Sequence, residues 1–224
     1  MPSSIFITRD ETVDSPFFQT LRNCGHHVSG HSLIIFQPLD FEIKTLPDWF
    51  FFYSKNGVRF FYDKIKDTGS SKIAAFGPST AKAINAITNN PIDFVGTGES
   101  TKTADSFLKN LNPSDEVCFI KAHQSIQSIH KSISEYCSTS SISVYNNQIN
   151  PPDTTPRADV YVVTSPLNVQ ALLSNDDLHP DTLFVAIGQT TCNELHKMGM
   201  MNSHIAEEPN EPSLAQSVMN LLNS

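Results

Sequence analysis

The same two-part signature occurs twice in the sequence, at a constant spacing. In each copy an apolar run ends in a short polar segment, and a second apolar run that ends in glycine follows it. Ser54 precedes Gly77 by 23 residues, and Ser165 precedes Gly188 by 23 residues. A repeat of this kind indicates two related structural units. The 224 residues therefore favour two similar lobes over one domain of the same length.

The repeat is permuted along the chain. The first copy continues into an apolar run at residues 117–121 and a helix-like stretch that ends near Tyr136, but the second copy ends without this unit. A matching unit stands at the N-terminus, where the apolar residues 5–9 precede a helix-like stretch over 16–24. The N-terminal unit is therefore expected to complete the second lobe, and the chain is expected to cross twice between the lobes.

Short apolar runs alternate with helix-like periods along most of the chain, which predicts parallel sheets covered by helices on both faces. The expected fold class is α/β, with two similar lobes, each a parallel sheet flanked by helices. A two-segment linker, with strands near 32–37 and 141–145, is expected to join them. The expected boundaries are a discontinuous lobe of residues 1–30 and 157–224, a continuous lobe of residues 41–146, and interlobe linkers at residues 31–40 and 147–156.

Composition and charge exclude several classes of protein. The formal net charge of −8 argues against nonspecific nucleic-acid binding, which requires a basic face. The longest apolar stretch, residues 49–53, is far shorter than the roughly 20 residues that span a membrane. The N-terminus lacks the basic and apolar regions of a signal peptide. We therefore expect a cytoplasmic protein that binds neither nucleic acid nor membrane.

Cysteine and histidine positions do not predict a metal site. His26 and His27 are adjacent, and His123 and His130, expected on one helix face, have no carboxylate or thiol in register. The cysteines form no CxxC pair and are expected to be buried free thiols: Cys24, Cys118, Cys137 and Cys192.

Small polar residues cluster where the predicted strands end, which is where ligands bind in sheets of this kind. Glycine permits a tight turn there, and Ser or Thr hydroxyls either cap the following helix or face a ligand. Helix N-termini favour anions. Arg9 and Lys121 occupy equivalent positions in the two matching units and are read either as ligand contacts or as solvated surface charges. The clusters are 54–56, 77–80, 98–101, 164–165 and 188–191.

Motifs of common nucleotide and hydrolase sites are missing from the sequence. No GxGxxG follows a strand, and neither GxxxxGK[ST] nor GxSxG occurs. Glu99 is the only acidic residue in the polar clusters. A nucleotide enzyme or an α/β hydrolase is therefore disfavoured.

The ordered set of motifs resembles the uroporphyrinogen-III synthase family. The resemblance is carried by residues 48–61, the turn at 77–81, the turn at 163–166 and the segment 186–191, and it covers nearly the whole chain. The chain departs from the family pattern at Tyr53 and in the segment after Lys121. The resemblance implies a cofactor-free lyase that closes linear hydroxymethylbilane to uroporphyrinogen III, with loss of water and inversion of the terminal pyrrole ring.

The resemblance also implies a set of site residues in a cleft between the lobes. The enzyme would mainly hold the terminal ring in position. A hydroxyl of Thr191 or Thr190 would assist the departure of water, and the Thr191 hydroxyl is expected to be exposed. The residues expected to bind the substrate, which carries eight carboxylates, are Arg9, Ser54, Lys55, Asn56, Gly77, Ser79, Thr80, Ser100, Lys121, Ser165 and Gly188.

Other functions stay open at this point. A noncatalytic two-lobe module that binds an anionic metabolite or tetrapyrrole would use the same helix N-termini. A two-lobe scaffold for protein binding would instead have an exposed apolar face. For the enzyme, a monomer is expected, with transient transfer of hydroxymethylbilane from the preceding deaminase.

Overall fold

The computed structural model describes residues 1–125, 128–151, 153–154, 156–174 and 178–223. The chain divides into two compact units, one of Met1–Ile35 with Gln148–Ser224 and one of Phe36–Asn147. We call them the discontinuous and the continuous unit. Both contain a helix-flanked sheet, so the expected α/β fold class is confirmed. Residues 152 and 155 of the second expected linker lie outside the described residues.

Strands and helices alternate along most of the chain. The strands are β1 Ser4–Ile7, β2 His27–Gly30, β3 Ile34–Pro38, β4 Trp49–Phe52, β5 Lys72–Ala75, β6 Phe94–Val95, β7 Glu116–Ala122, β8 Ser138–Ile149, β9 Val160–Val163, β10 Leu183–Ala186 and β11 Ser203–Ile205. The helices are α1 Pro16–Asn23, α2 Lys55–Lys64, α3 Pro78–Ile87, α4 Ser100–Leu108, α5 Ser128–Ser134, α6 Pro166–Leu172, α7 Gln189–Lys197 and α8 Glu211–Leu222.

The discontinuous unit is built on a sheet with the strand order β11-β10-β9-β1-β2. All four strand pairings are parallel. Ile5 and Val160 pack on one face with residues of α1 and α8. Phe6 and Tyr161 pack on the other face with residues of α6 and α7. The N-terminal strand β1 lies between β9 and β2, so the unit requires segments from both ends of the sequence.

The continuous unit is built on a sheet with the strand order β3-β8-β7-β4-β5-β6. The pairings of β8 with β7, β7 with β4, β4 with β5 and β5 with β6 are parallel. All four residues of β4 are buried, as expected for a strand covered on both faces. Phe50 and Phe52 pack with α2 and α3, whereas Trp49 and Phe51 pack with α4 and α5.

Two expectations for individual residues are wrong. Cys24 is exposed, because it follows the last turn of α1, whereas the other three cysteines are buried. His123 lies in a turn after β7, and α5 begins only at Ser128, so His123 and His130 do not share a helix face. Among the described residues, no group of three or more His, Cys, Asp or Glu side chains is arranged to hold a metal ion. Over the same residues, no helix has the length and apolar character needed to cross a membrane.

Candidate functional site

The polar clusters predicted from the sequence lie at the carboxyl-terminal ends of the strands in each unit. Ser54 caps α2 after β4, and Ser165 caps α6 after β9. Gly77 precedes α3 after β5, and Gly188 precedes α7 after β10. Because the strands in each set are parallel, the helix N-termini of a unit are brought to one edge of its sheet. That edge is the expected ligand-binding position in an α/β sheet.

Ser54 and Ser165 act as helix caps. The Ser54 Oγ accepts a hydrogen bond of 3.0 Å from the Gly57 amide, and the Ser165 Oγ accepts one of 3.1 Å from the Asn168 amide. Ser54 Oγ also lies 3.1 Å from the Tyr145 hydroxyl. A hydroxyl that accepts from a backbone amide still has its own proton to donate. Capping and ligand contact are therefore compatible at both positions.

Gly77 and Gly188 stand at equivalent positions but have different surroundings. A Cβ on Gly77 would lie 2.9 Å from the Gly98 Cα, so the fold itself requires glycine there. A Cβ on Gly188 would have no heavy atom within 4 Å. Glycine at 188 leaves open space beside the first turn of α7, where backbone amides lack intrahelical partners.

Thr80 and Thr191 occupy the first turns of α3 and α7 and are both buried, with 3% and 1% of their surface exposed. Thr191 is therefore not the exposed residue that the sequence predicted. Within the described part of the chain, neither hydroxyl makes a hydrogen bond. Neither oxygen is among the buried polar atoms that lack a partner, so each keeps a small contact with solvent.

A hydroxyl network links β1 to β9 at the edge of the discontinuous unit. The Thr164 amide donates to Thr8 Oγ1 at 3.0 Å, and Thr164 Oγ1 donates to the Thr8 carbonyl at 2.9 Å. Asn168 Nδ2 donates to Thr164 Oγ1 at 3.3 Å and to Ser165 Oγ at 3.1 Å. The Leu33 amide donates to Asn168 Oδ1 at 3.1 Å. Sequence reasoning missed Asn168, because a lone Asn in a helical period carries no signal of its partners.

Arg9 is held by an ion pair with α8. Its Nη1 lies 3.0 Å from Glu211 Oε1, and the Ser15 hydroxyl donates to Glu211 Oε2 at 2.6 Å. Burial opposes ionisation of Glu211, but the hydrogen bonds from Ser15 and Arg9 prevail and lower the pKa of this carboxyl. A guanidinium has five N–H donors, so the ion pair fixes Arg9 and leaves further donors for a ligand.

Lys121 is buried at the carboxyl-terminal end of β7, with 6% of its surface exposed. His130 covers the same region: its Nε2 lies 2.9 Å from Thr139 Oγ1, and its ring packs edge-on against Phe119 with centroids 5.1 Å apart. Burial lowers the pKa of His130, and the positive charge of Lys121 lowers it further. Most of the Lys121 side chain is therefore buried, unlike the solvated side chain that its residue type suggests.

Tyr53 follows β4 beside this region. Burial raises the pKa of its hydroxyl to about 12, against the opposing effect of the His130 and Ile129 backbone amides. The hydroxyl oxygen is buried and makes no hydrogen bond to the residues described. Tyr53 is thus a neutral donor at physiological pH.

The remaining expected site residues lie in the first turns of four helices. Lys55, Ser79 and Thr190 are exposed, and Asn56 and Ser100 are half-buried. They belong to α2, α3, α4 and α7, so each lies at the same sheet edge as the cap residue of its own helix.

Comparison with known proteins places the chain in a family. A family model described as "Uroporphyrinogen-III synthase HemD" matches residues 15–216. The chain belongs to the uroporphyrinogen-III synthase family. The resemblance noted in the sequence is thereby confirmed, and the comparisons favour this function over the noncatalytic binding module. A search of curated protein sequences finds no significant match.

Solved structures of this family share the fold. The uroporphyrinogen-III synthetase of Helicobacter pylori 26695 is 16% identical, with a TM-score of 0.70 over 99% of this chain and 100% of that chain. A mutant uroporphyrinogen III synthase of the extremely thermophilic bacterium Thermus thermophilus is 14% identical, with a TM-score of 0.59 over 99% of each chain. At these identities the likeness establishes the fold alone, so the residues of this chain must be assigned their roles from its own geometry.

Proposed function

We propose that the protein converts linear hydroxymethylbilane to uroporphyrinogen III as a cofactor-free, cyclising carbon–oxygen lyase. The family match over residues 15–216 carries this proposal. The polar edges of the two sheets support it, because a substrate with many carboxylates suits helix N-termini, hydroxyls and a few fixed cations. The uninverted isomer forms from the same bilane without enzyme, so the protein acts chiefly by holding the terminal ring in the orientation for inversion.

Thr191 is the residue that we assign to the departing hydroxyl group. Its hydroxyl has no partner in the described chain, and the residue lies in the first turn of α7, three positions after Gly188, which has open space beside it. A donor placed there assists the loss of water by hydrogen bonding to the leaving oxygen. Thr190, exposed in the same turn, is the second residue proposed for this step.

The substrate-binding residues fall into three chemical kinds in this proposal. Arg9, Lys55 and Lys121 supply positive charge for carboxylates. Gly188 leaves the first turn of α7 open to the ligand, and Gly77 contacts the ligand through the backbone amides at the start of α3. The hydroxyl and amide side chains supply further hydrogen bonds: Ser54, Asn56, Ser79, Thr80, Ser100 and Ser165.

We further propose a cytoplasmic monomer that receives hydroxymethylbilane directly from the preceding deaminase. The acidic composition supports free diffusion without attachment to nucleic acid or anionic lipid, since a net charge of −8 repels both. The two-unit chain contains both sets of polar strand ends, so one copy supplies all of the proposed site residues.

An isomer-resolved assay tests the function. Purified porphobilinogen deaminase generates hydroxymethylbilane, the protein is added without cofactor, and the oxidised products are separated into type I and type III isomers. We expect mostly type III product. A folded protein that leaves the type I product at the level of the enzyme-free control would refute the proposal.

A further inference from the structure

Tyr53 and Lys121 lie side by side on one face of the continuous unit's sheet. Phe52 pairs with Ile120 in the parallel register of β4 and β7, and the Tyr53 amide donates to the Ile120 carbonyl at 3.2 Å. The next position along the two strands therefore brings Tyr53 beside Lys121. Neighbouring strands are about 4.8 Å apart, and side chains two residues apart point to the same face. Phe119 and Phe51 occupy that face just before them.

The Lys121 ammonium has no partner among the described residues. It is not one of the buried polar atoms that lack a hydrogen bond, so it reaches solvent at the end of a side chain that is otherwise buried. In the part of the chain that the structure describes, the Lys121 ammonium makes no ion pair and no hydrogen bond, although only 6% of the residue is exposed. The described fold therefore holds the Lys121 side chain in place without pairing its ammonium group.

Tyr53 presents a second unused donor at the same place. Its hydroxyl is buried without a hydrogen bond to the described residues, and its ring is fixed between Phe51 and Phe119, with centroid distances of 5.3 and 5.6 Å. Two rigid donors next to each other, one of them charged, match the two oxygens of a carboxylate. The His130 ring lies nearby, because it packs edge-on against Phe119 and its Nε2 is held 2.9 Å from Thr139 Oγ1.

We propose that Tyr53 and Lys121 form a carboxylate-binding niche, closed on one side by His130, that takes one side-chain carboxylate of a polycarboxylate ligand. The ammonium supplies the charge and the phenol supplies a second, directional hydrogen bond. The identity of the ligand as a bilane or tetrapyrrole rests on the proposed function. The existence of the niche rests only on the Tyr53 hydroxyl and the Lys121 ammonium, so binding and turnover can be tested separately.

Equilibrium binding of uroporphyrin III, a stable octacarboxylate, tests the niche without turnover. Fluorescence titration gives its Kd for the full-length protein and for Lys121→Met and Tyr53→Phe, and thermal unfolding of each ligand-free variant gives its Tm. We expect Lys121→Met to raise Kd about tenfold or more and Tyr53→Phe to raise it about threefold, in line with a charged and a neutral hydrogen bond. Lys131→Met, on the exposed side of α5, is the matched control and should leave Kd and Tm unchanged.

The Tm separates a ligand-binding lysine from a structural one. Because the Lys121 ammonium has no partner among the described residues, Lys121→Met should leave the Tm of the ligand-free protein unchanged or raise it, whereas loss of a structural contact should lower it. A lowered Tm with unchanged Kd, or failure of the unaltered protein to bind uroporphyrin III, would overturn the niche. Weakened binding in both variants without type III product from the unaltered protein would keep the niche and refute the synthase function. Type III product from the unaltered protein, together with unchanged Kd and KM in Lys121→Met, would keep the synthase function and refute the niche.

Discussion

Single residues at the strand ends divide into those that serve the fold and those with unused chemical capacity. The Thr103 hydroxyl is fully buried and accepts from the Thr97 amide at 3.1 Å, so it serves the fold. Thr191 is equally buried, but its hydroxyl has no partner among the described residues. The Thr191 hydroxyl makes no hydrogen bond to the described fold, so the fold does not require it.

The contrast between these two threonines gives a prediction. Thr191→Val keeps the side-chain shape and removes only the hydroxyl, so we expect the free energy of unfolding to stay within about 0.5 kcal/mol or to rise, while kcat falls about tenfold or more. Thr103→Val leaves the Thr97 amide unpaired and should cost about 1–3 kcal/mol. Urea denaturation and the isomer assay provide the two measurements. A clearly lower free energy of unfolding in Thr191→Val would show that the Thr191 hydroxyl has a structural role.

The equivalent helices α3 and α7 begin in the same way, but their N-termini differ in accessibility. Both follow a strand through a glycine, and both carry a buried threonine in the first turn. Gly98, with φ +85, folds back so that its backbone closes over Gly77. No comparable segment closes over Gly188 within the described residues. The α7 N-terminus is consequently the more accessible of the two.

Alanine at each glycine tests this difference. Gly77→Ala forces a Cβ against the Gly98 backbone, so we expect it to lower the free energy of unfolding by about 1–3 kcal/mol. Gly188→Ala meets no protein atom, so it should change stability by less than about 0.5 kcal/mol yet raise KM about tenfold by filling the ligand's space. Chemical denaturation and steady-state kinetics measure the two effects. Unchanged KM in Gly188→Ala would show that the ligand does not approach α7 there.

The elements themselves were largely predictable, because apolar runs such as 49–53 and the glycine and serine turns are local signals. What could not be predicted was pairing over long distances. Arg9 meets Glu211, 202 residues later, and nothing in either local sequence specifies the partner. The burial of Lys121 could not be predicted either, because lysine side chains are mostly exposed. The sequence therefore predicted the strand ends at which the proposed site residues lie, but not the environments of their side chains.

For the whole molecule, the permuted repeat means that one unit is continuous and the other is assembled from both chain ends. The continuous unit contains β3 to β8 in one uninterrupted segment. In the discontinuous unit, β1 pairs with β9 on one side and with β2 on the other. Without the N-terminal segment, β9 loses its neighbour β1, and the sheet of β9, β10 and β11 loses the helix α1 that packs on its apolar face.

This organisation predicts unequal behaviour of fragments. Residues 34–149 hold all six strands of their sheet and two apolar clusters, so we expect this fragment to unfold in a single urea transition and to keep its near-ultraviolet circular dichroism. Residues 148–224 should be unfolded alone, because the bared faces of β9 and α8 cannot be buried. Addition of a peptide of residues 1–35 should restore helical ellipticity at a concentration-dependent midpoint. Independent folding of 148–224 would contradict the requirement for β1, and failure of 34–149 to fold would mean that the continuous unit depends on the rest of the chain.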